Sequence, residues 1–132
     1  MRGPANELMP LTAANLIGFV SSSDVAQATE FYRDVLELRV ISETSFALVL
    51  DAHGTMLRIT IVERVHPAPY TVIGWEVANI AQAVERLASR GVEFLRYEGM
   101  TQDEQGIWDS PSGSRIAWFR DPERNILSLT QF

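Results

Sequence analysis

The chain contains no cysteine. Disulfides, thiolate metal ligands and cysteine nucleophiles are therefore excluded, and the absence suits a cytoplasmic protein, the location expected here. Histidine is nearly as scarce, with only His53 and His66. Positive charge is also in deficit: 11 Lys+Arg stand against 17 Asp+Glu, for a formal net charge of −6. No basic tail or polybasic patch offers the footprint that nucleic acid requires, so no nucleic-acid partner is expected. No apolar run approaches the roughly 20 residues of a membrane span, and no membrane partner is expected either. Residues 1–14, "MRGPANELMPLTAA", carry Pro4, Glu7 and Pro10 and lack the apolar centre of a signal peptide. They read as a loose N-terminal arm. There is no glycine-rich phosphate loop. The segment "SPSGS" at 110–114 is a turn and not a nucleophile elbow. No Ser/His/Asp constellation is visible.

The remaining residues, 15–132, form one unit with ordinary globular composition, 46% hydrophobic and 21% charged. Within it the sequence repeats. "DVAQATEFY" at 24–32 matches "NIAQAVERL" at 79–87, and "FALVLDAHGTMLRIT" at 46–60 lines up with "IAWFRDPERNILSLT" at 116–130. Both first segments have helical periodicity. Val25, Ala28, Tyr32 and Val35 share one face, as do Ile80, Ala83, Val84 and Leu87. Asp24 and Asn79 are suitable N-caps. Each helix follows a short apolar strand, "NLIGFV" or "TVIGWEV". Three strands are predicted after each: about 38–42, 45–50 and 56–63, then about 93–97, 115–120 and 126–131. Residues 98–114 are a long polar insert, read as a site rim or lid, or else as a mobile surface loop.

The predicted class is α+β. Two tandem βαβββ modules, 15–65 and 70–132, form a curved mixed sheet around a concave pocket with the helices outside. "HPAPYT" at 66–71 is an extended spacer between them. Strand alternation assigns the faces. Leu57, Ile59, Ile61, Leu127 and Leu129 pack beneath the helices. Ile17, Phe19, Ser21, Arg58, Thr60, Val62, Ile126, Ser128 and Thr130 face the concavity. Trp75 points towards the helix side. Trp108 and Trp118 add stacking surface, and Trp108, in the long insert, caps a ligand or plugs a dimer contact.

Two stretches, "DVAQATEFYRDVLEL" at 24–38 and "FRDPERNILSL" at 119–129, carry a family likeness. On them the chain resembles the vicinal oxygen chelate superfamily, which includes glyoxalase I, the fosfomycin and bleomycin resistance proteins and extradiol dioxygenases. The likeness covers nearly all of 15–132 and implies a single glyoxalase/bleomycin-resistance-like domain. It specifies the fold better than the activity, because this scaffold carries lyases, transferases, dioxygenases, isomerases and binders. Two departures involve backbone shape. Glu37 and Arg124 stand where the family usually has glycine; a positive φ is expected at Glu37, and both imply small changes in backbone shape within the same fold.

The resemblance also implies a ligand set. Metal-dependent members place His or Gln on the first strand of each module and usually Glu on the last, donors suited to divalent ions. Here those positions fall on Ile17, Arg58, Val72 (or Ile73, if the register slips by one) and Ser128. Isoleucine and valine cannot ligate, and arginine repels a dication. No metal and no cofactor are therefore expected. The histidines offer no substitute, since His53 belongs to a turn and His66 to the linker. A displaced site using Glu63, Glu76, Asp109 or His66 would need a rearranged pocket.

The residues expected to contact a ligand are Arg58, Ser128, Ile17, Phe19, Thr60, Val72, Glu76 and Trp108. Arg58 is read as an anion clamp for carboxylate, phosphate or enolate, against a structural ion pair with Glu63, Glu76 or a partner's acid. The implied function is metal-free binding of a small apolar or anionic molecule, with a homodimer expected. The alternatives are a metal-dependent lyase or dioxygenase with an atypical site, a metal-free enzyme using Arg58 at an oxyanion with Glu76 the least unsuitable base, and a structural or regulatory dimer. No catalytic residue is identified.

Overall fold

A computed structural model describes residues 9–132; the first eight residues of the expected arm lie outside them. The described part of the arm holds one 3₁₀ turn, Leu11–Ala13, with no buried residue. Module one runs β1 (Ile17–Ser22), α1 (Val25–Thr29), β2 (Arg39–Glu43), β3 (Ala47–Ala52) and β4 (Thr55–Ile61). Module two runs β5 (Thr71–Glu76), α2 (Ile80–Ala88), β6 (Trp108–Asp109), β7 (Arg115–Arg120) and β8 (Ile126–Gln131). The strand orders are identical in kind, β1-β4-β3-β2 and β5-β8-β7-β6. In each, the first and last strands pair in parallel and the others antiparallel. The expected mixed βαβββ repeat is present as two four-stranded sheets lying side by side, not closed into a barrel. Among the described residues no helix is long and apolar enough to cross a membrane.

The helices start where capping chemistry places them. The Asp24 carboxylate accepts from the Gln27 N–H at 3.0 Å, and the Asn79 carbonyl from the Gln82 N–H at 3.1 Å. After Thr29, α1 loosens into a π-helical turn, Glu30–Val35, which carries the buried Tyr32. Leu48, Leu50, Leu57 and Ile59 are buried in the core with Ala28 and Tyr32. In module two the corresponding layer is Ile80, Val84, Leu87, Ala117, Phe119, Leu127 and Leu129. Trp75 packs against this layer, as strand parity predicts. Ile61 does not join the core: it is half-buried at the last position of β4.

Side chains of both modules meet within one chain. Gly18 of β1 faces Ile73 of β5, where an added Cβ would sit 3.4 Å from Ile73 Cδ1. The Asn125 amide donates to the Ser21 carbonyl at 3.0 Å. The Tyr32 hydroxyl donates to Asp121 Oδ2 at 2.6 Å. On the outer surface, Glu37 accepts from Arg86 Nε at 2.5 Å and Nη2 at 2.8 Å, with Arg90 at 3.1 Å. Glu37 and Arg124 do adopt positive φ, 62° and 71°.

The segment 93–97 is not a full strand. Phe94 bridges Phe119, and the Leu95 N–H donates to the Trp118 carbonyl at 2.8 Å. The chain then leaves the sheet and rejoins it at β6, where Trp108 pairs with Ile116. The excursion is internally satisfied. Gln102 donates to the carbonyls of Leu95 and Gly106, both at 2.8 Å, and accepts from the Tyr97 N–H at 2.8 Å. Gln105 donates to the Ala81 carbonyl of α2 at 3.2 Å, and Ile107 is buried in the core. These contacts fasten the first part of the insert beside α2.

Candidate functional site

The site lies on the sheet faces turned away from the helices. Pairing registers set out rows of inward side chains. Phe19 is opposite Arg58, which is opposite Val49. Gly74 is opposite Ser128, which is opposite Trp118. Ile17 pairs with Met56, and Glu76 with Thr130. At the edge, Trp108 is beside Ile116.

Strand parity thus puts Ile17, Phe19, Arg58, Thr60, Val72, Glu76, Ser128 and Trp108 on this face. Val72 occupies a register irregularity in β5. Its neighbour Ile73 packs into the core, which settles the one-residue ambiguity in favour of Val72. Trp108 is not in a free loop. It is half-buried in β6, with its ring centroid 6.0 Å from Trp118. Trp118 also meets Tyr97 edge-on at 5.3 Å. Gly74 and Trp118 are inner-face residues outside the expected site set. Strand parity could have put both on the inner face, but that they share a row with Ser128 comes only from the pairing of the strands.

The inner face is strongly apolar where the modules meet. Phe19 is 63% exposed, Ile17 43% and Val72 40%. Beside this seam is a cavity of about 380 Å³, lined by Phe19, Ser21, Val62, Arg64, Val72 and Asn125 among others; Arg58 lies outside its lining. A smaller cleft of about 210 Å³ lies on the helix side, between Leu36, Trp75, Leu87 and Phe119. Its arginine, Arg86, is already held by Glu37, so the inner face offers the better binding chemistry.

The chain has no lysine, so every side-chain cation apart from any protonated histidine is a guanidinium. Among the described residues Arg58 makes no ion pair and no side-chain hydrogen bond. The structural pairing with Glu63 or Glu76 is therefore not made. Arg58 is half-buried between Phe19 and Val49, and its five donors are unspent by protein acceptors. Glu76 is exposed at the end of β5. Ser128 is 7% exposed, and its hydroxyl is likewise without a protein partner.

These residues do not fit a metal. Two of the four inner positions are hydrocarbon, one is cationic and one is a neutral hydroxyl. Among the described residues no group of three His, Asp or Glu side chains is placed to hold an ion. His53 is exposed in the β3–β4 turn at φ 52°, and His66 is exposed in the linker. Divalent-ion chemistry would require donors that these positions do not supply.

Comparison with known proteins agrees with this architecture. The family model described as Glyoxalase/Bleomycin resistance protein/Dioxygenase superfamily matches residues 15–129. No curated protein sequence matches the chain. Among solved structures, a member of the same superfamily from Sphaerobacter thermophilus DSM 20745 superimposes with TM-score 0.72 at 22% identity, covering 91% of this chain and 98% of its own. Lactoylglutathione lyase from Agrobacterium tumefaciens gives 0.69 at 18% identity, with 90% and 93% covered. TioX from Micromonospora sp. ML1 gives 0.67 at 17% identity, with 90% and 98% covered. At these identities the likeness is one of fold.

Proposed function

The chain belongs to the Glyoxalase/Bleomycin resistance protein/Dioxygenase superfamily, and from that premise we propose that it is a metal-free member that binds a small, partly apolar anion on its inner face. The observation that carries this reading is Arg58. A guanidinium held on an apolar wall without a carboxylate is costly, and a bound anion offsets that cost through charge-assisted, bidentate hydrogen bonds. Phe19, Ile17 and Val72 supply apolar contact, and Thr60 and Ser128 supply neutral hydroxyls. Trp108 and Glu76 stand at the rim.

The same face supports a homodimer as the working assembly. Ile17, Phe19 and Val72 leave an apolar strip open to solvent, and a second copy of the chain would cover it and enclose the ligand. Light scattering on the purified protein tests the assembly: a mass near 14.8 kDa at micromolar concentration would rule the dimer out. A cytoplasmic location belongs to the same proposal and rests on the lack of cysteine.

Calorimetric titration of the wild type and an Arg58→Ala variant with carboxylates and inorganic phosphate tests the clamp. Loss of charge-assisted bonds predicts affinity falling roughly tenfold or more. Equal affinity in the two proteins would remove Arg58 from the site.

A further inference from the structure

The cavity beside the seam is walled by both modules and by the linker between them. β1 supplies Phe19 and Ser21, the stretch after β4 supplies Val62, Arg64 and His66, and module two supplies Val72 and Asn125. The Val62 N–H donates to the Ser22 carbonyl at 2.8 Å, which fixes where the linker leaves the sheet. Pro67 and Pro69 then stiffen the linker, because each sets its own φ and holds the residue before it extended. Asn125 ties the far wall to the near one, its amide donating to the Ser21 carbonyl at 3.0 Å and to Asp121 Oδ2 at 2.9 Å. These walls are set by the protein's own contacts and need no ligand to form. At about 380 Å³ the space falls within the range of small-molecule pockets.

Its ionisable groups are all basic. Among the described residues no Asp or Glu lines the cavity, although acids outnumber bases in the chain. Arg64 makes no ion pair and no side-chain hydrogen bond among the described residues, and the His66 imidazole also has no protein partner there. Both therefore keep N–H donors for a ligand. The rest of the lining is largely hydrocarbon. Phe19 and Val72 are exposed, and Val62, Val65 and Ala68 are half-buried. One guanidinium and one imidazole beside such a surface suit a single negative charge on an apolar body.

We infer that this cavity is a site for a small monocarboxylate with an apolar body, its carboxylate held by Arg64 and His66 and its body lying on Phe19, Val62 and Val72. The planar guanidinium matches the two oxygens of a carboxylate. The hydrocarbon walls reward an organic anion and give nothing to an inorganic one. Arg64 is exposed, so its share is screened by salt and is largest at low ionic strength. The site does not depend on Arg58, which lies outside the lining.

The test is proton–nitrogen correlation NMR of the purified full-length protein at low ionic strength, titrated with sodium benzoate, sodium acetate and inorganic phosphate. Benzoate should shift the backbone amides of Ser21, Val62, Arg64 and His66 and the side-chain amide of Asn125. It should bind about tenfold tighter than acetate, the effect of burying part of one ring, and phosphate should bind no tighter than acetate. Arg64→Gln keeps a polar stem without the charge and should weaken benzoate about fivefold or more. Arg58→Ala should leave the linker shifts in place, and Phe19→Ala should weaken benzoate and spare acetate. The same spectra report whether each variant is folded. Linker shifts that survive Arg64→Gln at unchanged affinity, or phosphate binding that matches benzoate, would overturn the carboxylate site. Shifts confined to the neighbours of Arg58 and lost in Arg58→Ala would overturn it and leave the Arg58 clamp standing. No shift with any of the three anions would overturn both.

Discussion

Tyr32 of the first module and Asp121 of the second are joined by a 2.6 Å hydrogen bond, with the phenol donating to Oδ2. Both are nearly inaccessible to solvent. Asp121 also accepts from the backbone N–H of Glu123 and of Asn125, each at 2.9 Å, and from the Asn125 amide at 2.9 Å. Burial, and then the Asp121 charge, push the Tyr32 phenol far above its ordinary value. Tyr32 therefore stays protonated and acts as a donor throughout the working pH range. The pair fastens α1 to the β7–β8 turn and so helps to set how the two inner faces adjoin.

Tyr32→Phe removes the donor and leaves the carboxylate with one hydrogen bond fewer. The expected loss is about 1.5–3 kcal/mol, the usual range for a bond to a charged group. Urea unfolding should show a lower midpoint with an unchanged slope. An unaltered midpoint would mean that the pair contributes nothing across the modules.

The same turn predicts acid sensitivity. The Ser23 hydroxyl and then the Ser23 N–H, with Ser22 adding a third bond, hold the Glu123 carboxyl below its ordinary value of 4.5. Glu37 is lowered as well, by its hydrogen bonds to Arg86 and then by the charges of Arg86 and Arg90. A carboxylate depressed in the folded state stabilises it above the unfolded value, and that stability is lost as pH falls through the folded value. Stability should therefore hold steady from neutral pH to about 5 and fall below about 4.5. Glu123→Gln should flatten that decline. A variant whose melting temperature tracks the wild type between pH 6 and 3 would contradict this assignment.

The two left-handed residues should respond differently to glycine. Arg124, at φ 71°, is exposed and forms no ion pair among the described residues, so Arg124→Gly should stabilise by about 0.5–1 kcal/mol. Glu37→Gly relieves similar strain but loses the contacts to Arg86 and Arg90, and it should come out nearer to neutral. Thermal melts of the two variants decide the order. A destabilised Arg124→Gly would show that its side chain is used elsewhere.

The unsuitable donor set predicts indifference to metals. Adding zinc, manganese or nickel, or dialysing against EDTA, should leave the melting temperature within about 1 °C. A ligand that bound the native state at 100 times its Kd would add about 2.7 kcal/mol, a shift of several degrees for a domain of this size. A shift of that size reversed by EDTA, and abolished by Ser128→Ala, would restore a metal to the inner wall.

Much of this was legible from local pattern. The module repeat, the caps at Asp24 and Asn79, and the inward parity of Arg58 and Ser128 all follow from periods of two or 3.6 residues. Those periods are properties of the local chain and need no partner. Glu37 and Arg124 were readable because family resemblance marked two glycine positions. Strand pairing was not readable in this way. Residues 93–97 are apolar enough for a strand, yet the edge is made in two pieces, because Gln105 and Ile107 draw the intervening chain towards α2. Whether Val72 or Ile73 faces inward depended on an irregularity against β8.

The sequence alone determined that Arg58 shares the inner wall with hydrocarbon side chains, since side-chain identity and strand alternation are local facts; that metal donors are expected at those positions is what the family resemblance implies. Only the tertiary structure decided that Arg58 lacks a carboxylate partner among the described residues, that Tyr32 reaches Asp121, and that Gly74, Ser128 and Trp118 form one row. Those relations depend on register between strands distant in the chain, which long-range packing selects and no local period encodes.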